Sequence, residues 1–419
     1  MADALELADR LWRGEERIED HHPVGFMGEL TEVADRVAFL PGFANVTAFD
    51  TEAGLVLFDT GSFATAQFVH ETMRGWSDSP LHTAVYTHGH VDHVFGVPLW
   101  EAEAAERGLL PPRVVAHENV PRRFDRYKLT AGYNGAINSR QFQIEGIVWP
   151  TDYRYPDETY RESLAIEVGG ERFELHHAKG ETDDHTWTWV PGRRTLCCGD
   201  LFIWAVPNAG NPQKAQRYPR DWVEALRAMA ELDAELLLPG HGLPVQGAVR
   251  VRAALEDSAA LLESLVEQTL ALMNEGAPLD RILHEVSAPV ELLDRPYLHP
   301  IYDEPEFVVR NLWRLYGGWY DGNPARLKPA PDGMLAEELA ALAGGGARLA
   351  DRALELAEAG ELRLAGHLAE LAAQAAPELE AAQRARAEVN ERRAAAEAST
   401  MARGVFAWAA RESRARLPD

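Results

Sequence analysis

Only two cysteines occur in the 419 residues, Cys197 and Cys198, and they are adjacent. A neighbouring pair is poorly placed to staple a fold, so "TLCCGD" reads as the end of a buried strand and not as part of a disulfide framework. No run of about 18 apolar residues exists, which leaves no segment to span a bilayer. Positive charge is also short: 41 Lys and Arg stand against 66 Asp and Glu, for a formal net charge of −25. That balance cannot supply a dominant basic face, which argues against nucleic acid or an anionic membrane as the main partner. The opening "MADALELADRLWRGEERIEDHHP" is acidic and amphipathic and lacks the basic and apolar regions of a secretory signal. These absences predict a cytoplasmic protein. What is present is ordinary for a globular chain, 46% hydrophobic and 26% charged, and the length predicts two or three domains.

The first half reads as short strands broken by turns, with helices interleaved. "VAFLPGFANVTAFDT" and "GLVLFDTGS" look like two β segments, and a helix is predicted around "FATAQFVHETMRGW". "LHTAVY" and "RVVAHENV" follow as strands, then "SLAIEVGG" and "RFELHHA" meet at a Gly-Gly hairpin turn. Residues 124 to 160 are polar and aromatic-rich without clear periodicity, and are expected to form an extended loop or lid. "HTWTWVP", "RRTLCCGD", the helix "DWVEALRAMAELD" and "AELLLPGHG" complete an α/β pattern. Beyond Pro244 the chain turns helical, first in "VRVRAALEDSAALLESLVEQTLALMNEG" and later in Ala/Leu/Glu-rich hairpins.

Chemistry concentrates in "THGHVDH", Thr87 to His93, directly after an apolar-leaning strand. A divalent metal takes imidazole nitrogens and carboxylate oxygens at about 2 Å. His88 and His90 alternate, so an extended loop lets them point the same way. Asp92 and His93 follow where the chain turns, aimed elsewhere, so one loop can feed two ions. Further donors stand at other strand ends: His176, His177, Glu181, Asp183, Asp184 and His185 in "HHAKGETDDHTW", Asp200 in "CCGD" and His241 in "LLLPGHG". The carboxyl ends of strands deliver ligands to a shared rim. Asp200 taken alone reads better as a turn or N-cap residue; its joint occurrence with the others points to metal.

The order H-x-H-x-D-H, a strand-end ligand, "GD" and "PGHG" resembles the metallo-β-lactamase superfamily. Glu181 in "KGETDDHTW" stands where the usual motif has histidine, a feature of the alkyl sulfatase (type III sulfatase) branch. "VVRNLWRLYGGWYDGNPARLKP" is similar to the alkyl sulfatase dimerisation domain, above all in "GWYDGNPA" from Gly318 to Ala325. The resemblance covers roughly residues 30–385. It implies an αββα metallo-β-lactamase sandwich followed by an all-α C-terminal region. The implied domains are 1–245 (catalytic), 246–330 (helical dimerisation) and 331–419 (helical hairpins continuing it). It further implies two zinc ions per chain or other divalent metals. His88, His90 and Glu181 would hold the first, Asp92, His93 and His241 the second, with Asp200 bridging. The implied reaction is hydrolysis of a small-molecule sulfate ester by a metal-bridging hydroxide, in a homodimer.

The branch also places an arginine about a dozen residues after the bridging carboxylate to grip sulfate. Here Asn208, Asn211, Gln213 and Lys214 stand near that spacing and Arg217 comes later. An arginine fork suits paired oxyanions far better than an amide does, which keeps a phosphate ester, lactone or thioester open as the substrate. Asn208 and Arg217 are candidate substrate contacts. Tyr133, Asn134, Asn138 and Arg140 in the lid segment resemble a sulfatase stretch that approaches the site, with Arg140 either an oxyanion grip or a surface residue. Tyr320 reads as a proton donor or as core packing. His185 is a candidate for orienting a ligand from behind. A scaffold with a vestigial metal site is the reading from another class, and the intact ligand set speaks against it. The apolar stripes from Val249 to Leu272 and from Phe307 to Tyr316 need burial, either in a dimer or within the chain.

Overall fold

The computed structural model describes residues 3–25 and 27–418. It divides into two compact units. The first comprises Met1–Ala131, Trp149–Ala277 and Arg281–Gly317, and the second Gly132–Val148, Pro278–Asp280 and Gly318–Asp419. Two sheets form the centre of the first unit. One has seven strands in chain order: β1 (Thr31–Ala34), β2 (Val37–Leu40), β3 (Val46–Thr51), β4 (Gly54–Phe58), β5 (Leu81–Val85), β6 (Arg113–His117) and β7 (Glu158–Tyr160). Strands β1 to β4 pair antiparallel and β4 to β7 parallel. The other has six, β8 (Ser163–Val168), β9 (Glu171–Ala178), β10 (His185–Val190), β11 (Thr195–Gly199), β12 (Leu236–Pro239) and β13 (Val245–Gln246), antiparallel except for β11 beside β12.

Helices in chain order are α1 (Ala4–Trp12), α2 (Ala66–Trp76), α3 (Val97–Glu106), α4 (Val120–Leu129), α5 (Ala131–Phe142), α6 (Pro219–Ala230), α7 (Ala248–Asn274), α8 (Leu279–Glu285), α9 (Val290–Leu293) and α10 (Pro305–Tyr316). They are followed by α11 (Asp332–Ala343), α12 (Gly346–Glu358), α13 (Leu362–Ala375), α14 (Glu380–Ala396) and α15 (Thr400–Arg414).

The sandwich follows from continuous apolar runs, which place alternate residues on opposite buried faces. In β2 and β4, Val37, Phe39, Val56 and Phe58 point to the core between the sheets, while Ala38, Leu40, Leu55 and Leu57 point to a second core under α2, α3 and α4. Phe173 of the second sheet closes on Phe49 at 5.3 Å between ring centroids, edge to face. Trp222, Leu226 and Met229 of α6 and Leu255, Leu262 and Leu265 of α7 cover the other sheet. The layers are therefore α, β, β, α.

Three expectations change. "VAFLPGFANVTAFDT" is two strands, because Pro41 and Gly42 break it into β2 and β3. The segment 124–160 is helical at its start: α4 runs to Leu129 and α5 occupies 131–142, leaving irregular chain only from 143 to 157. Val120, Phe124 and Tyr127 are the buried stripe of α4, diluted in sequence by arginines. α5 buries Asn134, Gly135, Asn138, Ser139 and Gln141 with Ile137, a face with almost no hydrophobic signal. Lastly, α7, expected beyond a boundary at 245, packs in the first unit on α6. Its apolar stripe and that of α10 (Val308, Val309, Leu312) are buried within the chain.

The second unit is a bundle of α5 and α11 to α15 with small-residue cores. Ala340, Ala350, Ala372, Ala382 and Ala385 meet Leu349 in one cluster, and Ala353, Ala365 and Ala369 meet Leu356 and Val389 in another. α5 is fastened there by Gln143, which donates to the Gly404 carbonyl at 2.6 Å, and a Cβ on Gly404 would overlap the Gln141 backbone.

Candidate metal centre

All donors that the sequence points to at the ends of β5, β9, β11 and β12 do not share one fate. His88, His90, Glu181 and Asp200 form one group, and Asp92, His93 and His241 a second. Within each, one donor atom per residue lies within 4.8 Å of the rest. His88 Nε2 and His90 Nδ1 face each other at 2.8 Å. Asp92 Oδ2 lies 3.5 Å from both His93 Nε2 and His241 Nε2. Asp200 reaches both groups: its Oδ2 is 3.6 Å from His88 Nε2 and 3.3 Å from His241 Nε2, and its Oδ1 is 3.6 Å from His93 Nε2. His176 instead stacks on Trp187, and His177 on His117. Asp183 and Asp184 pair with Arg123.

The electrostatics suit a cation. Burial holds the His88 imidazole well below its ordinary pKa, and burial with Arg217 does the same to His90, so both keep the neutral ligating form. Burial pushes the Glu181 carboxyl well up, opposed by Arg217 and reinforced by Asp200. Burial would raise Asp200 too, but His241, His93 and His88 hold it well below the carboxylate range. Three carboxylates, Asp92, Glu181 and Asp200, thus stand among the imidazoles. Two of the cluster's buried atoms, His93 Nε2 and Asp200 Oδ1, have no hydrogen-bond partner among the described residues. A buried acceptor left unpaired is costly, and a divalent cation between the groups would satisfy both. The residues fit a metal.

Groups behind the donors aim them. Asp59 at the end of β4 accepts from His93 Nδ1 at 2.7 Å and is itself held by the Thr87 N–H and Oγ1, each at 2.8 Å. The carbonyl of Phe43 accepts from His241 Nδ1. Asn45 fastens the "PGHG" turn, donating to the carbonyls of Pro239 and Gly242 at 2.9 and 3.0 Å. That turn needs glycine: a Cβ on Gly240 would overlap Asp200 Oδ1. His185 Nε2 accepts the Asp200 N–H at 3.0 Å while its ring stacks on His88. Asp59 reads in the sequence as a turn residue; the signal for its other role is its place at a strand end, as for the donors.

Arg217 and Asn208, the candidate substrate contacts, both turn to Glu181. Arg217, 2% exposed, donates Nη1 to the Glu181 carbonyl at 2.8 Å and Nη2 to Glu181 Oε1 at 3.1 Å. Asn208 Nδ2 donates to the same oxygen. Both hold the unusual glutamate. Lys214 lies over the Trp149 ring at 5.7 Å, and burial with Arg217 nearby lowers its ammonium to about 7. Tyr133, Asn134, Asn138 and Arg140 lie on α5, and they and Tyr320 belong to the second unit. Asn138 donates to the Asn134 carbonyl at 2.8 Å. Tyr320 is 41% exposed, so its reading as core packing is corrected.

Residues 40–241 match the metallo-β-lactamase superfamily, and residues 279–416 match the family described as alkyl sulfatase dimerisation. A linear primary-alkylsulfatase of Pseudomonas sp. is 28% identical over 313 residues, which are 70% of this chain and 59% of that protein. An (R)-specific secondary-alkylsulfatase of Pseudomonas sp. is 28% identical over 320 residues, 69% of this chain and 47% of that one. The solved structure of a stereoselective inverting sec-alkylsulfatase from Pseudomonas sp. superposes with a TM-score of 0.83 at 23% identity, covering 93% of this chain and 66% of that one. This chain therefore spans between about half and two thirds of the length of these relatives. Among the described residues no helix is long and apolar enough to cross a membrane. Residues 40–241 are thus similar to the metallo-β-lactamase superfamily, and residues 279–416 to the alkyl sulfatase dimerisation family.

Proposed function

We propose that this protein is a metal-dependent hydrolase of sulfate esters, alkyl sulfates among them, holding two zinc ions. His88, His90 and Glu181 would take the first ion, Asp92, His93 and His241 the second, and Asp200 would be shared. The observation that carries the reading is the convergence of these side chains around buried atoms that lack partners, in a chain whose relatives are named alkylsulfatases. Bound divalent cations would supply Lewis acidity, lowering the pKa of water and neutralising charge on a leaving oxyanion. The protein's part is orientation. Asp59 and the Phe43 carbonyl set the tautomer and direction of His93 and His241, and Arg217 with Asn208 aims Glu181 and opposes the upward push of burial on its carboxyl. Inorganic sulfate released from a chain-length panel of alkyl sulfates by zinc-loaded protein tests the activity. Asp200→Ala should lower turnover by at least about 10³-fold and zinc content below two per chain; full turnover in that variant would refute the reading.

A second reading keeps the metals and changes the substrate to a phosphate ester, lactone or thioester. It is favoured by Arg217, whose fork is turned to Glu181. Release of product from such esters, with none from any alkyl sulfate, would select it.

A homodimer through the helical region completes the proposal. α11 turns Ala336 and Ala340 inward and leaves Met334, Leu335, Leu339 and Leu342 exposed, an apolar stripe suited to a second copy. Light scattering should give twice the chain mass, and Leu339→Glu with Leu342→Glu should give the monomer.

A further inference from the structure

α10 lies within the region matched by the dimerisation family, yet it packs in the first unit. It grips the segment 208–217 at two points. At its foot, Asp303 is wholly buried and accepts the Gly210 N–H at 2.5 Å and the Glu304 N–H at 2.8 Å. Gly210 is pressed so close that a Cβ there would overlap the Phe307 and Val308 backbone. Further along the helix stands Asn311, 4% exposed. Its amide brackets the backbone of a single residue: Oδ1 accepts the Arg217 N–H at 3.3 Å and Nδ2 donates to the Arg217 carbonyl at 3.1 Å. Gln216 Nε2 and Arg314 Nη2 also donate to Asn311 Oδ1, at 2.8 and 3.2 Å.

Asparagine is a poor choice for a helix interior and costly to bury unless its hydrogen bonds are made. Here they are made, and to a particular address. Asn208 stands two residues before the first anchor and Arg217 is the second, and these are the side chains that donate to the Glu181 carboxylate. Arg217 reaches the carboxylate and the carbonyl of Glu181 at once, so a backbone shift of about an ångström would break one bond or both. We infer that Asn311 is a positioning residue for the metal centre: by clamping the backbone of Arg217 it lets α10 set the aim of Glu181. The inference rests on the reading of Glu181 as a metal ligand.

Zinc competition titration against a chromophoric chelator tests it. In Asn311→Leu, one of the two zinc sites should weaken by about 10- to 100-fold while the other is unchanged, the range typical when the support of a ligand is lost. Arg217→Met should weaken the same site. If Asn311 acts through Arg217, adding Asn311→Leu to Arg217→Met changes zinc affinity no further. Asn311→Asp keeps the acceptor and loses the donor, so it should give a smaller loss and, loaded with cobalt, an altered visible spectrum from one site. It stands in should the leucine variant fail to fold. Unchanged affinities in both Asn311 variants, or losses that simply add in the double variant, would overturn the inference. Wild-type protein that binds less than one zinc ion would instead defeat the reading of the metal centre on which it rests.

Discussion

His93 and His241 are aimed by the ends of the first sheet. Asp59 closes β4, Phe43 lies in the turn between β2 and β3, and the contacts they make are a carboxylate and a backbone carbonyl facing imidazole nitrogens. Glu181 is supported differently. Its partners, Asn208 and Arg217, stand on irregular chain, and that chain is seated on α10. The first arrangement is short-range and belongs to the sandwich itself. The second depends on a helix from a later part of the chain. A carboxylate in place of an imidazole makes the difference necessary: it brings a buried negative charge, which burial and Asp200 disfavour and the Arg217 cation favours.

The harshest way to break this contrast is Arg217→Met. Glu181 would then be buried against Asp200 without its cation. The metal-free protein should lose about 3–5 kcal/mol, the range for orphaning one member of a buried ion pair, read by denaturant unfolding in chelator. Zinc should restore part of that loss, because a bound cation stabilises the folded state by mass action. A variant as stable as wild type without metal would show that Arg217 does not support the glutamate.

Asp59→Asn is the matched probe on the other side, with a smaller expected effect. The amide oxygen still accepts from His93 Nδ1, but without charge, and the amide NH2 then faces the Thr87 N–H that Asp59 Oδ1 accepts; a charge-assisted bond is roughly twice as strong as a neutral one. Zinc affinity should fall by about 10-fold at one site, at the low end for lost outer support. In the Arg217→Met background the two losses should add, since the two residues share no partner among the bonds around the donors. Strong coupling would mean that the two groups act as a single unit.

The same contrast explains what could be read from the sequence. The donors were legible because each sits in a short motif at a strand end: "THGHVDH", "CCGD", "PGHG". Their supports were not. Arg217 is 36 positions from Glu181 and Asn311 is 94 from Arg217, and no local pattern links them. The sequence alone offers Arg217 only as a candidate contact for substrate. The sandwich was visible in its apolar runs, whereas α5 was missed because its buried face is made of Asn134, Gly135, Asn138, Ser139 and Gln141. α7 was visible as a helix, but periodicity gives a face and not the surface that covers it. Hence its stripe could be offered to a dimer when α6 and the second sheet already bury it.

The smallest effect expected concerns the histidines beneath the Glu181 side. His117 of β6 stacks on His177 of β9 at 3.6 Å between ring centroids, and His177 Nδ1 donates to the His185 carbonyl at 3.1 Å. Burial, and then the facing His177, lowers His117 to about 4, with Asp184 and Glu118 pulling weakly the other way; burial also lowers His177. Both rings are neutral in the folded protein at pH 7. Between the ordinary imidazole value of 6.5 and about 4, the unfolded chain takes up the His117 proton and the folded chain does not. Falling pH therefore favours unfolding across that window. Discounted for solvent screening, this one group should cost about 1 kcal/mol of stability or less from pH 7 to pH 5. His117→Gln, whose amide can still reach the Arg161 carbonyl that His117 Nε2 contacts at 2.9 Å, should remove that part of the slope in urea unfolding of the metal-free protein. If the variant and the wild type lose stability in parallel from pH 7 to pH 5, the pair is a packing contact and carries no acid sensitivity. The acid response would then have to come from other imidazoles that burial holds low, His185 at about 4 and His176 among them, because burial raises Glu181 and falling pH favours the folded state there.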